Sequence, residues 1–147
     1  MDEIDIEGLI LTPLKRIHHP KGDILHGLKK SDAEYSSFGE AYFSCIKLGQ
    51  IKGWKRHHNM MLNIIVPVGE IQFVMFDDRN SNEERFQEVV LSINNYCRLT
   101  IPPMVWMAFK GLSSECSILL NIASITHDPS ESDSRRLNEI EFDWSIK

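Results

Sequence analysis

Short β-type segments, separated by turn residues at close intervals, are the feature that most limits how this chain of 147 residues can fold. No segment carries the long 3.6-residue apolar periodicity of an amphipathic helix. Instead, β-branched and aliphatic residues fill short runs that end at glycine, proline or asparagine. Many short strands joined by regular turns predict an all-β sandwich or closed barrel.

The predicted strands can be placed from these runs and their turns. Gly69 and Glu70 predict a tight hairpin turn between strands 62–68 and 71–77. The polar segments 31–37, 78–84 and 127–136 predict solvated loops. The complete set of predicted strands is 9–14, 24–28, 39–48, 51–57, 62–68, 71–77, 88–93, 97–101, 106–110, 117–125 and an edge strand at 140–146.

Composition narrows the class of protein. A hydrophobic fraction of 42% is enough for a core, and the length predicts a single domain over residues 1–147. A net charge of −5 argues against a nucleic-acid partner. The acidic N-terminus carries no signal-peptide pattern and no apolar run is long enough to span a membrane, so a cytoplasmic protein without membrane contact is expected. Its three cysteines include no C-x-x-C pair, which predicts free thiols rather than disulfides.

The run from Gly49 to His57 has the most informative spacing. Cupins carry a motif of glycine, five residues, histidine, one residue, histidine, then a glutamate and a closing glycine. Gly49, Lys55, His57 and Gly69 stand at its glycine, two histidine and closing glycine positions. The second cupin motif falls on 102–107, with Met107 at the histidine position. The chain therefore resembles a cupin, which implies an all-β jelly-roll barrel.

A closer resemblance, over roughly residues 9–144, is to the dTDP-4-dehydrorhamnose 3,5-epimerases, and it implies that the core of the domain covers this range. Their Gly-x-Leu-Arg-Gly-Leu-His-x-Gln run is similar to residues 49–57, and their Gln-x-Asn-x-Ser run to residues 40–44. Further blocks of the family are similar to residues 21–26, 69–79, 101–109 and 128–131. The related hexulose isomerases, which make 3-keto sugars from 4-keto ones, share the segment around His57.

The resemblance implies an epimerase or isomerase of surface-polysaccharide (O-antigen or capsule) biosynthesis. Such an enzyme moves a proton next to the keto group of an NDP-4-keto-deoxysugar, needs no cofactor, and forms a homodimer in the cytoplasm. The family's catalytic histidine falls on Lys55 and its tyrosine on Asn121. We expect Lys55 and His57 to be the catalytic pair, with Lys21, Lys52 and Arg79 facing the diphosphate.

No metal site is expected. Cupin metals need converging imidazole and carboxylate ligands, and the four ligand positions hold Lys55, His57, Met61 or Leu62, and Met107. His58 does not restore the site, because adjacent strand residues point to opposite faces.

Two asparagines within aliphatic strands point to a polar pocket or to a paired core position. A buried amide costs about 1–3 kcal/mol unless it is hydrogen-bonded, so Asn63 and Asn121 must each have one of these two environments. Trp106 is a candidate for stacking on a base or sugar, whereas Phe43 is expected in the core. The predicted ligand-binding residues are Lys21, His26, Glu40, Tyr42, Lys52, Asn63, Arg79, Trp106 and Asn121.

The substitutions at the catalytic positions leave two further interpretations open. The alternative function is a non-catalytic cupin that binds a nucleotide sugar or related carbohydrate after losing the family's histidine and tyrosine. A third interpretation is a structural barrel without a ligand. All three share the predicted fold, so the sequence alone does not separate them.

Overall fold

The computed structural model describes residues 4–145, and this part of the chain is built from antiparallel strands. Within it there are twelve strands, which confirms the all-β prediction. They are β1 (Ile10–Pro13), β2 (Arg16–Ile17), β3 (Ile24–Leu25), β4 (Glu40–Ile46), β5 (Ile51–His57), β6 (Leu62–Val68), β7 (Glu70–Asp77), β8 (Arg85–Ser92), β9 (Cys97–Ile101), β10 (Trp106–Gly111), β11 (Ser117–Ala123) and β12 (Ser132–Ser134).

Two five-stranded sheets pack face to face as a jelly roll. The first has the order β1-β9-β6-β11-β4 and the second has the order β12-β5-β10-β7-β8, while β2 and β3 form a separate pair. Alternate residues of both sheets, such as Ile64, Phe73, Met75 and Leu99, meet in one buried core between them.

The outer face of the first sheet is partly covered by the segment 26–38. Arg98 is 1% exposed there and donates to Glu34 (2.7 Å), to Asp32 (3.3 Å) and to the Gly27 carbonyl (2.7 Å). A buried guanidinium needs such carboxylate partners because an unpaired buried charge is costly. The covering segment is therefore fixed to the sheet by charge and hydrogen bonding.

The outer face of the second sheet is covered by the C-terminal segment. Ile140 is buried, and Phe142 and Trp144 pack against a second apolar cluster that contains Trp54 and Trp106. The predicted edge strand 140–146 is therefore wrong over its described residues, since this segment packs across the sheet by side chains and forms no ladder; residue 146 lies outside the described part.

The predicted hairpin at Gly69 is also wrong. Gly69 makes a tight turn with φ +83°, but β6 pairs with β9 and β11 whereas β7 pairs with β8 and β10. The turn carries the chain from one sheet to the other. Both strands are apolar along most of their length because both are central, each flanked by two partners.

Two other expectations differ from the structure. Phe43 is 68% exposed on the outer face of β4 instead of lying in the core. The segment 127–136 is not a solvated loop throughout: it contains a short 3₁₀ turn, Pro129–Glu131, followed by β12. Glu131 is buried, and β12 pairs with β5.

The helical content of the described residues is limited to two 3₁₀ turns, Pro129–Glu131 and Leu137–Glu139. No helix between residues 4 and 145 is long and apolar enough to cross a bilayer.

An irregularity in β5 decides which side chains share a face. The register with β10 shifts between the pairs Lys55–Met107 and Lys52–Phe109, so Lys52 lines the same cavity as Lys55 despite its odd spacing. Gly53 has φ +151°, and a Cβ on it would lie 2.3 Å from the Cβ of Ala108. A glycine is required because the two strands approach too closely for any side chain.

Replacing Gly53 by alanine should destabilise the fold more than the same change at Gly22. Both glycines have positive φ, +151° and +137°, but a Cβ on Gly22 meets nothing within 4 Å. The cost of placing alanine at a positive φ applies to both variants. The greater loss of stability expected for Gly53→Ala is therefore the cost of overpacking against Ala108, about 1–3 kcal/mol. Urea unfolding of both variants measures the difference, and equal losses would contradict the account of this bulge.

Candidate active site

A cavity of about 380 Å³ opens between the two sheets, beside β4 and β5. A volume of a few hundred cubic ångströms is typical of small-molecule sites. The polar or charged residues in its wall are Glu40, Tyr42, Ser44, Lys52, Lys55, His57, Asn121, His127, Ser134 and Arg135. The apolar part of the wall includes Met60, Leu62, Ile64, Met107, Phe109 and Leu119.

A histidine–carboxylate pair is the most constrained polar element of this wall. His57 Nδ1 lies 2.6 Å from Glu131 Oε1, and both side chains are nearly buried. The other carboxylate oxygen, Oε2, accepts hydrogen bonds from the backbone N–H groups of Asn59 (2.7 Å) and Met60 (2.9 Å). Glu131 therefore has no freedom to rotate away from the imidazole.

Local sequence explains how Glu131 reaches this position. Asp128 caps the 3₁₀ turn by accepting from the Ser130 N–H (3.0 Å), and Pro129 at the start of the turn has no N–H to satisfy. The chain then enters β12, where Ser132 pairs with His57. The turn and the strand register together place the carboxylate directly beside the ring.

The environment keeps the imidazole neutral and the carboxylate charged. Burial lowers the pKa of His57, the Glu131 carboxylate opposes that effect, and the charges of Lys55 and His127 add to the lowering, so the pKa lies below its ordinary value. Burial alone would raise the pKa of Glu131, but hydrogen bonds from Asn59, His57 and Met60 outweigh it and lower the pKa. Because a carboxylate only accepts, Nδ1 carries the proton and Nε2 keeps the lone pair.

Two lysines bring positive charge to the same wall. Lys55 is half-buried and follows the bulge by two residues, and its strand neighbours are Ser134 and Met107. Lys52 reaches across to β4, where Nζ donates to the Cys45 carbonyl (2.7 Å) and lies 3.4 Å from Ser44 Oγ. The second sheet therefore presents an imidazole and two ammonium groups to the cavity.

The first sheet provides the facing polar groups. Tyr42 and Asn121 are register partners on β4 and β11, and Asn121 Nδ2 donates to the Tyr42 hydroxyl over 2.9 Å. Glu40 accepts from the His127 backbone N–H at the cavity edge (3.0 Å). Of the sequence-predicted residues, the cavity brings together Lys55, His57, Glu40, Tyr42, Lys52 and Asn121.

Two of the remaining predicted ligand residues lie away from the cavity, in the N-terminal third of the chain. Lys21 is exposed between β2 and β3. His26 belongs to the covering segment, where its carbonyl accepts from the Tyr96 hydroxyl (2.7 Å) and it lines a separate cleft beside Arg98. Their assignment as ligand contacts stays a prediction.

Two environments were predicted for Asn63, a polar pocket or a paired core position, and the structure shows the paired position. Its Oδ1 accepts from Thr100 Oγ1 (2.6 Å), and its Nδ2 donates to the Glu34 carbonyl (3.2 Å) beneath the covering segment. Alternation in β6 explains this, because the cavity-facing positions are Leu62 and Ile64. The amide stabilises the outer layer and does not line the cavity.

Arg79 and Trp106 are likewise engaged elsewhere. Arg79 forms an ion pair with Asp77 (2.9 Å) beyond the end of β7. Trp106 is 1% exposed on the outer face of the second sheet, with the guanidinium groups of Arg56 and Arg135 each 4.7 Å from its ring. Its ring is covered on that outer face, so it does not line the cavity between the sheets.

Sequence reasoning missed Glu131 and His127 as residues of this site. The match of residues 128–131 to the Asp-Pro-x-Glu block of the epimerases already singled out this segment. The available signal was a turn that starts with a proline and places a glutamate next to the edge of a strand. His127 carried no comparable pattern.

No metal centre is evident in the described part. Between residues 4 and 145, no three histidine, cysteine, aspartate or glutamate side chains are grouped as metal ligands would be. The expectation of a metal-free, cofactor-free site stays a prediction.

Comparison with known proteins identifies the family. The FdtA family, described as WxcM-like, C-terminal, matches residues 7–139. A curated relative from Haloferax volcanii, a probable low-salt glycan biosynthesis epimerase, is 25% identical over 121 residues, which are 80% of this chain and 78% of that protein.

Solved structures agree with both the fold and the family. A dTDP sugar isomerase from Desulfovibrio desulfuricans has a TM-score of 0.89 and 35% identity, covering 95% of this chain and 92% of that one. A dTDP-6-deoxy-D-glucose-3,5-epimerase from Legionella pneumophila, in complex with dTDP-4-keto-L-rhamnose, matches in fold, with a TM-score of 0.78 at 18% identity over 89% and 74% of the two chains. The chain belongs to the WxcM-like, C-terminal family of FdtA and is a divergent member of the sugar-nucleotide isomerases and epimerases.

Proposed function

We propose that this protein is an enzyme that moves a proton next to the keto group of an NDP-4-keto-deoxysugar. The observation that carries the proposal is the His57–Glu131 pair in the wall of the cavity between the sheets. Neutral imidazole oriented by a carboxylate is the usual form of a general base near neutral pH. His57 is the base, and Glu131 is the residue that positions it.

Lys55 supports the same step electrostatically. Removal of a proton beside a ketone leaves an enolate, whose oxygen must be stabilised by a cation or hydrogen-bond donor. The Lys55 side chain lies in the cavity wall, two residues before the base on the same strand. Lys55 then stabilises the enolate oxygen and does not abstract the proton, which refines the predicted catalytic pair by giving its members different roles.

The remaining wall supports binding of a sugar nucleotide. Lys52 supplies charge for a diphosphate oxygen, while Glu40, Tyr42 and Asn121 offer hydrogen bonds to sugar hydroxyls. The epimerase from Legionella pneumophila was solved with dTDP-4-keto-L-rhamnose, a ligand of this class. Lys21 and Arg79 remain proposed diphosphate contacts, although they lie outside the cavity.

The biological setting belongs to the same proposal. Its support is the similarity to a probable glycan biosynthesis epimerase, from which we infer a cytoplasmic role in surface-polysaccharide synthesis, of O-antigen or capsule.

The chain pairs as a homodimer through the outer face of β4 and β11, where Phe43 is 68% exposed beside Leu120. Light scattering that gives 17.0 kDa in solution would contradict this pairing.

Turnover in deuterium oxide tests the proposed function. The protein is incubated with dTDP-4-keto-6-deoxyglucose, and NMR and mass spectrometry follow the carbons next to the ketone. We expect deuterium at one of these carbons and a rearranged product. His57→Asn should lower both by about 10²–10⁴-fold, the usual contribution of a general base.

The matched control is His18→Asn, since His18 lies exposed in the loop after β2. It should keep the wild-type rate. Wild-type protein that binds the nucleotide sugar, yet returns it without deuterium, would favour the alternative of a non-catalytic binding protein. Deuterium incorporation that survives His57→Asn would exclude His57 as the base.

The pH dependence of kcat/KM provides a separate test of the His57–Glu131 pair. Only neutral His57 accepts a proton, so activity should rise with pH through a pKa below the ordinary histidine value of about 6.5. Glu131 raises the pKa of His57 through its charge and hydrogen bond, so Glu131→Gln should move this limb to still lower pH while also reducing kcat.

Asp133→Asn is the control for this profile, because Asp133 follows Glu131 by two residues, on β12, but pairs with Arg56 (2.8 Å) and His58 (3.0 Å). It should leave the acid limb close to its wild-type position. If the acid limb of the kcat/KM profile moved to higher pH in Glu131→Gln, or did not move, the assigned His57–Glu131 pair would be contradicted.

A further inference from the structure

A second cleft lies on the outer face of the first sheet, where the segment 26–38 meets β1. Its volume is about 260 Å³, and Arg98 of β9 lines it. The sheet order β1-β9-β6-β11-β4 places it at the opposite end of the sheet from the outer face of β4 and β11, which is the proposed dimer surface. The cleft shares no residue with the cavity between the sheets. It is therefore separate from the candidate active site.

Two carboxylates hold the buried Arg98 guanidinium in the wall of this cleft. Asp32 Oδ2 accepts from Nη1 (3.3 Å), and Glu34 Oε1 accepts from Nη2 (2.7 Å). The same two oxygens also accept from the Lys29 N–H (2.8 Å) and from the Thr12 hydroxyl (3.3 Å), respectively. Within residues 4–145, Asp32 Oδ1 and Glu34 Oε2 are left without a hydrogen-bond donor. Two carboxylate oxygens of the wall are therefore available to a ligand.

The inner part of the cleft has an excess of negative charge, because two carboxylates surround one guanidinium. The Lys29 N–H hydrogen bond lowers the pKa of Asp32 most, and the charges of Arg98 and Lys29 add to the lowering against the opposing effect of burial. Arg98 is 1% exposed, and its Nε is buried without an acceptor in the described part of the chain. The protein's own groups therefore do not saturate this cluster.

The mouth of the same cleft carries positive charge. Lys15 and Lys29 are exposed there, and His26, a ligand residue predicted from the sequence, lies in the same wall. Between residues 4 and 145, neither lysine side chain has an ion-pair partner. Free ammonium groups of this kind bind phosphate or carboxylate groups as point charges.

A ligand with only one kind of charge fits this arrangement poorly. A simple anion would lie against the carboxylates of Asp32 and Glu34, and a simple cation would lie against the two lysines at the mouth. An ammonium group has three N–H donors, which is enough to reach both free carboxylate oxygens. A molecule with an ammonium group at one end and an anionic group at the other complements both parts of the cleft.

We propose that this cleft binds a small zwitterion, with its ammonium group between Asp32 and Glu34 and its phosphate or carboxylate group at Lys15 and Lys29. Amino-sugar phosphates and free amino acids both have this chemistry. The site goes beyond the proposed function, since none of these residues lines the cavity of His57.

Calorimetric titration of the full chain with matched ligands tests the charge requirement and separates the two sources. Glucosamine 6-phosphate represents the amino-sugar phosphates and L-glutamate the amino acids. Glucose 6-phosphate and glutarate are their counterparts without the ammonium group. We expect one of the two zwitterions to bind with a Kd below about 1 mM. Its counterpart should bind at least about tenfold more weakly, because the charged hydrogen bonds to the carboxylates are lost.

Variants locate the bound ligand. Lys29→Ala should weaken binding about 2–5-fold, the contribution of an exposed charge pair, and Asp32→Asn should remove most of the preference for the ammonium group. Lys30→Ala is the matched control, because Lys30 is exposed beside Lys29 but does not line the cleft. Lys52→Ala is the control for the active-site cavity, which Lys52 lines. Both controls should bind the zwitterion as wild type does.

Thermal unfolding shows whether Asp32→Asn is folded; if it is not, the ligand pairs and Lys29→Ala decide. Equal binding of a zwitterion and its counterpart would overturn the proposal. Binding that is lost in Lys52→Ala and kept in Lys29→Ala would also overturn it, because the ligand would then lie in the active-site cavity. The proposal would likewise fail if neither zwitterion bound saturably at up to about 10 mM.

Discussion

The hydrogen bonds of one buried carboxylate connect the parts of this molecule that its site depends on. Glu131 binds the His57 ring through one oxygen and the Asn59 and Met60 amides through the other. These contacts join the segment after β11 to the end of β5 and to the loop that follows it. Loss of the carboxylate would remove the hydrogen bonds that hold both the base and this loop.

The two-sheet architecture sorts polar residues into three environments. Polar residues between the sheets line the cavity. On the outer faces, some polar residues are covered by segments 26–38 and 140–144, and the others are exposed to solvent. Arg98 and Asn63 show the second environment, since their partners come from the covering segment. A jelly roll with covered outer faces can therefore bury charged and amide groups that have no part in the active site, which is why buried polarity alone did not identify the site.

Much of the fold could be predicted from the sequence because strand periodicity is a local property. Segments such as 51–57, 62–68 and 97–101 agree with the observed strands. The hairpin at Gly69 could not be told from a crossing between sheets, since both need the same turn. Nor could the packing of 140–144, which depends on the apolar outer face around Trp54 and Trp106.

The motif spacing predicted Lys55 and His57 as residues of the site. The sequence did not predict residues whose position in the site depends on tertiary contacts. Alternation alone puts Lys52 on the wrong face, and only the bulge at Gly53 brings it into the cavity. The partner of His57 is 74 residues away in the chain. Pairings over such separations depend on the whole topology and leave no local periodic pattern.

A crystal structure of the His57→Asn variant with dTDP-4-keto-6-deoxyglucose tests the central claim most directly. We predict the sugar between the two walls, with the carbon next to its ketone about 3–3.5 Å from the position of the missing imidazole nitrogen. The carbonyl oxygen should lie toward Lys55, and the Tyr42 hydroxyl should face the other side of the ring. A diphosphate bound at Lys55 with the sugar outside the cavity would contradict the assignment of His57 as the base.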